Sequence, residues 1–217
     1  MRFSLPTTVA GVTAFSGRYV YERNGAPVTL DETFGVDGAS VHAVRDQPGG
    51  ARMEVDAAVD DHGLTTGFRL QWTHAGEGHV RTRSVRYSLA DGVLTSKIDS
   101  VLSVRSVAVD ALLFPLLRVF QGAVIVAVAE HGTKGREVII PDLHALTDPD
   151  RLLYPTVETR VANLLSTDAD GIGTYTYEGS VYDANARFRI DAMTKQMVGY
   201  DFPQAEGVVF TVRRVDN

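Results

Sequence analysis

Turn signals recur along the first half of the chain at intervals that leave room for strands and little else. Asn24-Gly25, Pro48-Gly49-Gly50, Asp61-His62-Gly63, Gly76-Glu77-Gly78 and Ala90-Asp91-Gly92 separate segments rich in Val, Thr, Tyr and Phe. Asn-Gly between alternating segments is the strongest short hairpin signal, because both turn residues must take positive φ. The predicted strands are 18–23, 26–36, 41–45, 52–59, 64–73, 79–89 and one or two within 93–109. Pro27 suits an edge position, since it has no N–H for a ladder, and Gly67 marks a bulge. Successive antiparallel strands joined by tight turns form a meander.

The second half changes once and then returns to strands. Residues 110–120, with Leu112, Leu113, Phe114, Leu116, Leu117 and Phe120, are apolar on every side. Pro115 rules out a long helix there, so this stretch reads as a short helical or irregular plug at one end of the sheet. Residues 122–130 read as a buried strand, 131–135 as a hairpin loop, and 136–140 as its returning partner. After a loop at 141–151, with a helical turn within it, further strands are expected at 156–165, 173–178, 186–191, 196–202 and 208–215. Gly17-Arg18-Tyr19-Val20-Tyr21-Glu22 and Gly173-Thr174-Tyr175-Thr176-Tyr177-Glu178 are similar to each other as two Tyr-rich strands. The expectation is one all-β domain over 1–217, a long antiparallel meander curled into a β-roll, half-barrel or barrel, opened by an N-terminal hairpin at 17–36.

Charge and composition narrow the partners. With 27 acidic and 21 basic residues the net charge is −6, the wrong sign for the basic footprint of general nucleic-acid binding. The absence of cysteine excludes thiol nucleophiles, disulfides and Cys-ligated metals. The N-terminus carries one basic residue, but Pro6, Thr7, Thr8 and Gly11 interrupt its apolar run, which argues against a secretory leader and for a cytoplasmic location. The most apolar window, 107–129, is broken by Asp110, Pro115, Arg118 and Gln121. It falls short of the ~20 clean apolar residues of a membrane span.

Motifs for hydrolases, phosphate loops and dinucleotide sites are absent. Asp168-Ala169-Asp170-Gly171 opens like a calcium loop, but the downstream ligands are missing, so it reads as a turn. His74, Glu77 and His79 are a conceivable metal set. Metal sites show tighter, repeated ligand spacing, so solvated loop residues are the expected reading. No metal, cofactor or catalytic residue is assigned.

The strand at 79–89 is unusual. Side-chain alternation puts His79, Arg81, Arg83, Val85 and Tyr87 on one face. Two guanidiniums on a face with Val and Tyr have two readings. They recognise a carboxylate, phosphate or sugar head group, or they pair across strands with acids such as Glu54, Asp56 or Glu158. Trp72, Tyr87, Tyr154, Tyr175, Tyr177, Tyr182 and Tyr200 either line a cavity for an amphiphile or pack the core.

On these residues the chain resembles the bacterial glycolipid-binding family. Val80-Arg81-Thr82-Arg83-Ser84-Val85-Arg86 is similar to that family's W-R-T-R-S-V-R-V strand. Tyr175-Thr176-Tyr177-Glu178, Phe188-Arg189-Ile190-Asp191 and Val198-Gly199-Tyr200-Asp201-Phe202-Pro203 resemble its closing Y-x-Y, x-V-D and V-x-D-Y-P pattern. Phe114-Pro115-Leu116-Leu117-Arg118 resembles its L-L-P-I-R segment. The likeness spans roughly 50–205. It departs at His79-Val80, where the family has an aromatic, and at the extra residue before Pro203. The resemblance implies a coiled antiparallel sheet related to periplasmic lipoprotein carriers, and carries over no catalytic residue.

The leading expectation is therefore non-enzymatic binding of an amphipathic small molecule or lipid. Its tail would lie near Leu113, Phe114, Leu117 and Phe120, its head near Arg81 and Arg83, with Trp72, Tyr87, Tyr175 and Tyr177 around it. One alternative is a lipocalin-like cyclase or isomerase using Tyr175, Asp191, His79 and Arg83 as acid–base groups. Another is an interaction protein, a homodimer included, pairing through a sheet edge.

Overall fold

The computed structural model describes residues 14–76, 79–143, 151–179, 185–204 and 207–216. The leader reading of the N-terminus, Glu77 and the His79 side chain, the helical turn expected within 141–151, and Tyr182 fall outside them. The first strands follow the turn signals closely: β1 (Phe15–Arg23), β2 (Ala26–Asp37), β3 (Ser40–Gln47), β4 (Ala51–Val59), β5 (Thr65–Gly76), β6 (His79–Ala90), β7 (Val93–Ile98) and β8 (Val101–Ser106). A two-residue strand β9 (Leu112–Leu113) and the helix α1 (Arg118–Glu130) come next. They are followed by β10 (Arg136–Pro141), β11 (Pro155–Thr167), β12 (Ile172–Glu178), β13 (Arg187–Asp191), β14 (Met197–Pro203) and β15 (Val209–Asp216).

All the strands belong to one sheet, running β4-β3-β2-β1-β15-β14-β13-β12-β11-β10-β9-β5, with β4 pairing back onto β5. That is a closed 12-strand barrel. Every junction is antiparallel except β9 with β10. The closure is made at one residue: Thr65, at the start of β5, pairs with Leu113. From Gly67 onward that same edge of β5 pairs with β6 instead, so β6, β7 and β8 leave the ring as an extension. Pro27 lies inside the ring, not on an outer strand. It pairs with Glu22 of β1, while β3 joins β2 only from Asp31 onward, so the proline has no ladder partner on its other side.

The segment 122–130 is helical, which corrects the strand expected there. Gly-Ala-Val-Ile-Val-Ala-Val is β-branched and continuously apolar, and a buried strand and a buried helix share that pattern. Residues Phe120 to Val128 are all buried, packed against β11 and β14. Inside a closed barrel the ladder partners are already taken, and buried backbone groups must still be paired. A helix satisfies them within itself. The plug thus runs from 118 to 130 and fills the barrel, rather than ending near 120. Gly122 marks its tightest approach, for a Cβ there would meet the Lys195 carbonyl and stand 2.7 Å from the Met197 nitrogen.

Candidate functional site

Strand register assembles a row of inward-facing side chains that sequence spacing does not reveal. Tyr19 stands opposite Glu32, Glu32 opposite Arg45, Arg45 opposite Met53, Met53 opposite Trp72 and Trp72 opposite Arg83. At its centre Glu32 is completely buried. One carboxylate oxygen accepts the Tyr21 hydroxyl at 2.8 Å, and the other accepts the backbone N–H of Arg118. Arg45 approaches the same carboxylate at 4.0 Å. It also donates to the Leu116 carbonyl at 3.2 Å and to Met53 Sδ at 3.0 Å. Arg118 donates to Gln121 Oε1 at 2.6 Å and lies 5.0 Å from the centre of the Tyr200 ring.

Glu32 therefore caps α1 from another element. Leu117, at the helix start, has no side-chain cap of its own, and an acid at a helix N-terminus meets both free N–H groups and the positive end of the dipole. Burial pushes the Glu32 carboxyl above its ordinary pKa, while Arg45, Arg118 and its hydrogen bonds pull it down. Burial, reinforced by Glu32, holds the Tyr19 and Tyr21 hydroxyls protonated far above the usual phenol range. The Tyr19 hydroxyl donates to the Met197 carbonyl at 3.0 Å. The cluster's hydrogen bonds fasten the plug to the wall and leave the buried Gln121 Nε2 without a partner.

The candidates from sequence fall in three places. Trp72, Tyr87, Phe114, Leu117, Tyr175 and Tyr177 are buried in the hydrophobic core. Trp72 stacks on His74 with ring centres 5.7 Å apart, and the Tyr87 hydroxyl donates to the Leu153 carbonyl at 2.6 Å. Tyr175 and Tyr177 sit on β12, which the ring order separates from β6. Arg83 lies at the outer end of the inward row. Its Nε is 3.4 Å from Asp99, poorly aligned for a hydrogen bond, and its guanidinium is 5.8 Å from the Tyr154 ring centre. Arg81 is exposed. Asp191 accepts the Met193 and Thr194 amides, both at 2.9 Å, and these bonds hold its pKa below the usual carboxylate value. It shapes the β13–β14 turn, so Tyr175, Asp191 and Arg83 are not brought together. Asp168 likewise accepts the Asp170 and Ile172 amides of its own turn. Among the described residues, no cluster of three or more His, Asp or Glu is placed to hold a metal.

A concave feature with an apolar floor lies elsewhere, on the outside of the barrel. It is a groove of about 570 Å³ across β3 to β6, bordered by Ser40, His42, Asp56, Ala58, Gly67, Arg69, Arg86 and Ser88. The sheet bends here because the β4–β5 register slips between Ala58 and Val59, opposite Thr65 and Gly67, the bulge expected at Gly67. Glycine suits the position, as a Cβ would press to 3.1 Å from the Tyr87 carbonyl oxygen. Small residues on the floor keep the groove open.

Its two ends differ. Toward β1 and β2 it shares Ser40 and His42 with a second hollow, lined by Ala14, Phe15, Gly35 and Val36. Toward β7 it shares Arg69 and Arg86 with a third, lined by Ser84, Lys97 and Asp99. Register puts Arg69 directly opposite Arg86 and Arg86 directly opposite Lys97, and all three are exposed. Like charges directly opposite on neighbouring strands repel. Asp56 stands directly opposite Arg69 at the other end of this row and is bound to His42 at 2.8 Å, and Asp99 faces Arg83. The strand at 79–89 thus places Arg86, not the Arg81–Arg83 pair, among other cations. That row was readable from sequence: the turn signals that follow β5 and β6 set both registers. Comparison with family models, with curated proteins and with solved structures gave no match.

Proposed function

We propose that this protein is a non-enzymatic binder of an amphipathic small molecule with an anionic head group, held in the groove on the outer face of β3 to β6. The supporting observation is the polarity of that groove: an apolar, small-residue floor leads from the Phe15 and Val36 hollow to the row Arg69, Arg86 and Lys97. A guanidinium fork suits a phosphate or carboxylate, and mostly apolar concavities of several hundred Å³ suit small molecules. The resemblance of 80–86 and of 175–203 to the glycolipid-binding family agrees with an amphipathic ligand. On this reading the head group lies on the Arg86 side of β6, and Arg83 and Trp72 back the sheet from within.

Titration calorimetry with dodecyl phosphate below its micelle-forming concentration tests the proposal, with dodecyl maltoside as the uncharged control. The phosphate should bind and the maltoside should bind more weakly. Arg69→Ser should weaken the phosphate at least tenfold, since a hydrogen bond to a charged group contributes roughly 1.5–3 kcal/mol. Ser88→Trp, which fills the groove, should abolish binding. Equal affinity for both amphiphiles, or none for either, would sink the proposal.

A further inference from the structure

β8 ends the sheet as an open strand. It pairs only with β7, and all six of its residues are exposed. It is fastened from one side, where Arg105 donates to the Pro155 carbonyl at 3.3 Å. Its ladder with β7 runs unbroken from Ile98 opposite Val101 to Val93 opposite Ser106, and one step beyond the Val107 N–H donates to the Gly92 carbonyl at 2.9 Å. That bond fixes the phase of the ladder. Antiparallel pairs alternate between bonded and non-bonded, so Val101, Ser103 and Arg105 turn their N–H and C=O groups to β7. Leu102, Val104 and Ser106 turn theirs to the open edge. Soluble proteins blunt such edges with prolines, bulges or charges. β11, where it runs past β10 beyond Arg160, is broken by a bulge between Leu164 and Ser166. β8 has neither proline nor bulge, and its edge-directed residues include Leu102 at 64% exposure and Val104 at 61%.

We infer that β8 is a dimer interface, at which two copies of this chain pair their edges antiparallel about a two-fold axis through Ser103. A two-fold contact must be self-complementary, and this strand is. Leu102 of one copy stands opposite Val104 of the other, and each such pair exchanges two N–H···O=C bonds between groups that β7 leaves unused. Ser103 meets Ser103. Arg105 stands opposite Val101 and diagonal to Asp99 of the second copy, a carboxylate that is 55% exposed beside its own Arg83. No two like charges come opposite each other across the axis, the arrangement that would oppose pairing. The extensions of the two copies then form one continuous sheet, β6-β7-β8-β8-β7-β6, with both outer faces on the same side. The contact is smaller than the roughly 1,200 Å² of a stable complex, so the dimer is weak and builds up with concentration. The inference does not depend on the groove holding a ligand, since no residue bordering the groove belongs to β8.

Sedimentation velocity over a micromolar to millimolar series tests it, and the full chain should pass from monomer to dimer. Val104→Pro removes an N–H that β7 does not use. It should raise the dissociation constant at least about tenfold at unchanged circular dichroism, because the axis removes two edge hydrogen bonds at once. Leu102→Glu should also weaken the dimer, and adding Val104→Lys should restore it, since opposite charges then face each other across the axis. Crosslinking reads the register directly, as the chain has no cysteine of its own. Ser103→Cys should join two copies under mild oxidation, because directly opposed residues of a non-bonded pair stand about 4.5 Å apart, a disulfide's span. Val101→Cys should not, because its two copies stand about 13 Å apart along the strand. Ser88→Trp, which fills the groove, should leave the dimer unchanged, so a failed groove and a failed interface are told apart. A monomer at every concentration, a dimer indifferent to Val104→Pro, or Val101→Cys crosslinking as fast as Ser103→Cys would overturn the inference.

Discussion

The barrel and its extension are made of the same kind of strand, yet they treat charge in opposite ways. In the ring around α1, Glu32, Arg45 and Arg160 are buried, each with a partner: Glu32 with Tyr21 and the Arg118 amide, Arg45 with the Leu116 carbonyl, and Arg160 with Glu158 at 2.5 Å. In β6 to β8, Arg81, Arg86, Lys97 and Arg105 are exposed, and β8 buries no side chain. A buried charge is tolerable only when paired and hydrogen-bonded, so the barrel's ionic residues are parts of its construction. An exposed charge costs the fold almost nothing. The extension carries surface chemistry because the barrel beside it is complete without it.

Three substitutions measure that difference. The largest effect belongs to Glu32→Ala, which leaves Arg45 buried without its carboxylate and α1 without its cap. Chemical denaturation should show a loss of about 3–5 kcal/mol, the cost of stranding one member of a buried pair. A loss under about 1 kcal/mol, the scale of an exposed pair, would erase the distinction between the two regions. Next comes Gly122→Ala, whose methyl group must displace the Lys195–Met197 backbone. Overpacking of this kind costs roughly 1–3 kcal/mol, despite alanine's better helix propensity. A stabilised variant would mean that α1 sits loosely in the barrel. The smallest change is expected at Arg83→Met. Its partner Asp99 is 55% exposed, and such pairs contribute about 0–1 kcal/mol, while the methionine keeps the apolar stem beside Tyr154 and Trp72. The melting temperature should hold or rise slightly. A large fall would make the base of the extension part of the barrel's framework.

Much of the architecture was legible in local pattern. Asn24-Gly25 and Asp91-Gly92 take the positive φ their turns require, and alternation correctly put Val85 and Tyr87 on the buried face of β6. The candidate site was legible only in part. Reading β6 alone singled out Arg81 and Arg83 on one face. Carrying the register across both flanking turns would have aligned Arg69, Arg86 and Lys97 on the other. The aromatic candidates have the chemistry of a binding site, but in the fold that chemistry serves packing: Tyr87 donates to the Leu153 carbonyl inside the core, and Trp72 stacks on His74.

By itself the sequence determined what depends on neighbours along the chain: strands, tight turns, the bulge at Gly67 and an all-β class. Only the tertiary structure decided that residues 118–130 form a helix, since Val-Ile-Val is compatible with either state until the barrel removes every free ladder partner. It alone decided that the ring closes through a single pairing of Thr65 with Leu113. And it alone made Glu32 the cap of a helix 86 residues away. Contacts between residues so distant along the chain form only when the ring is complete, and no local preference encodes them.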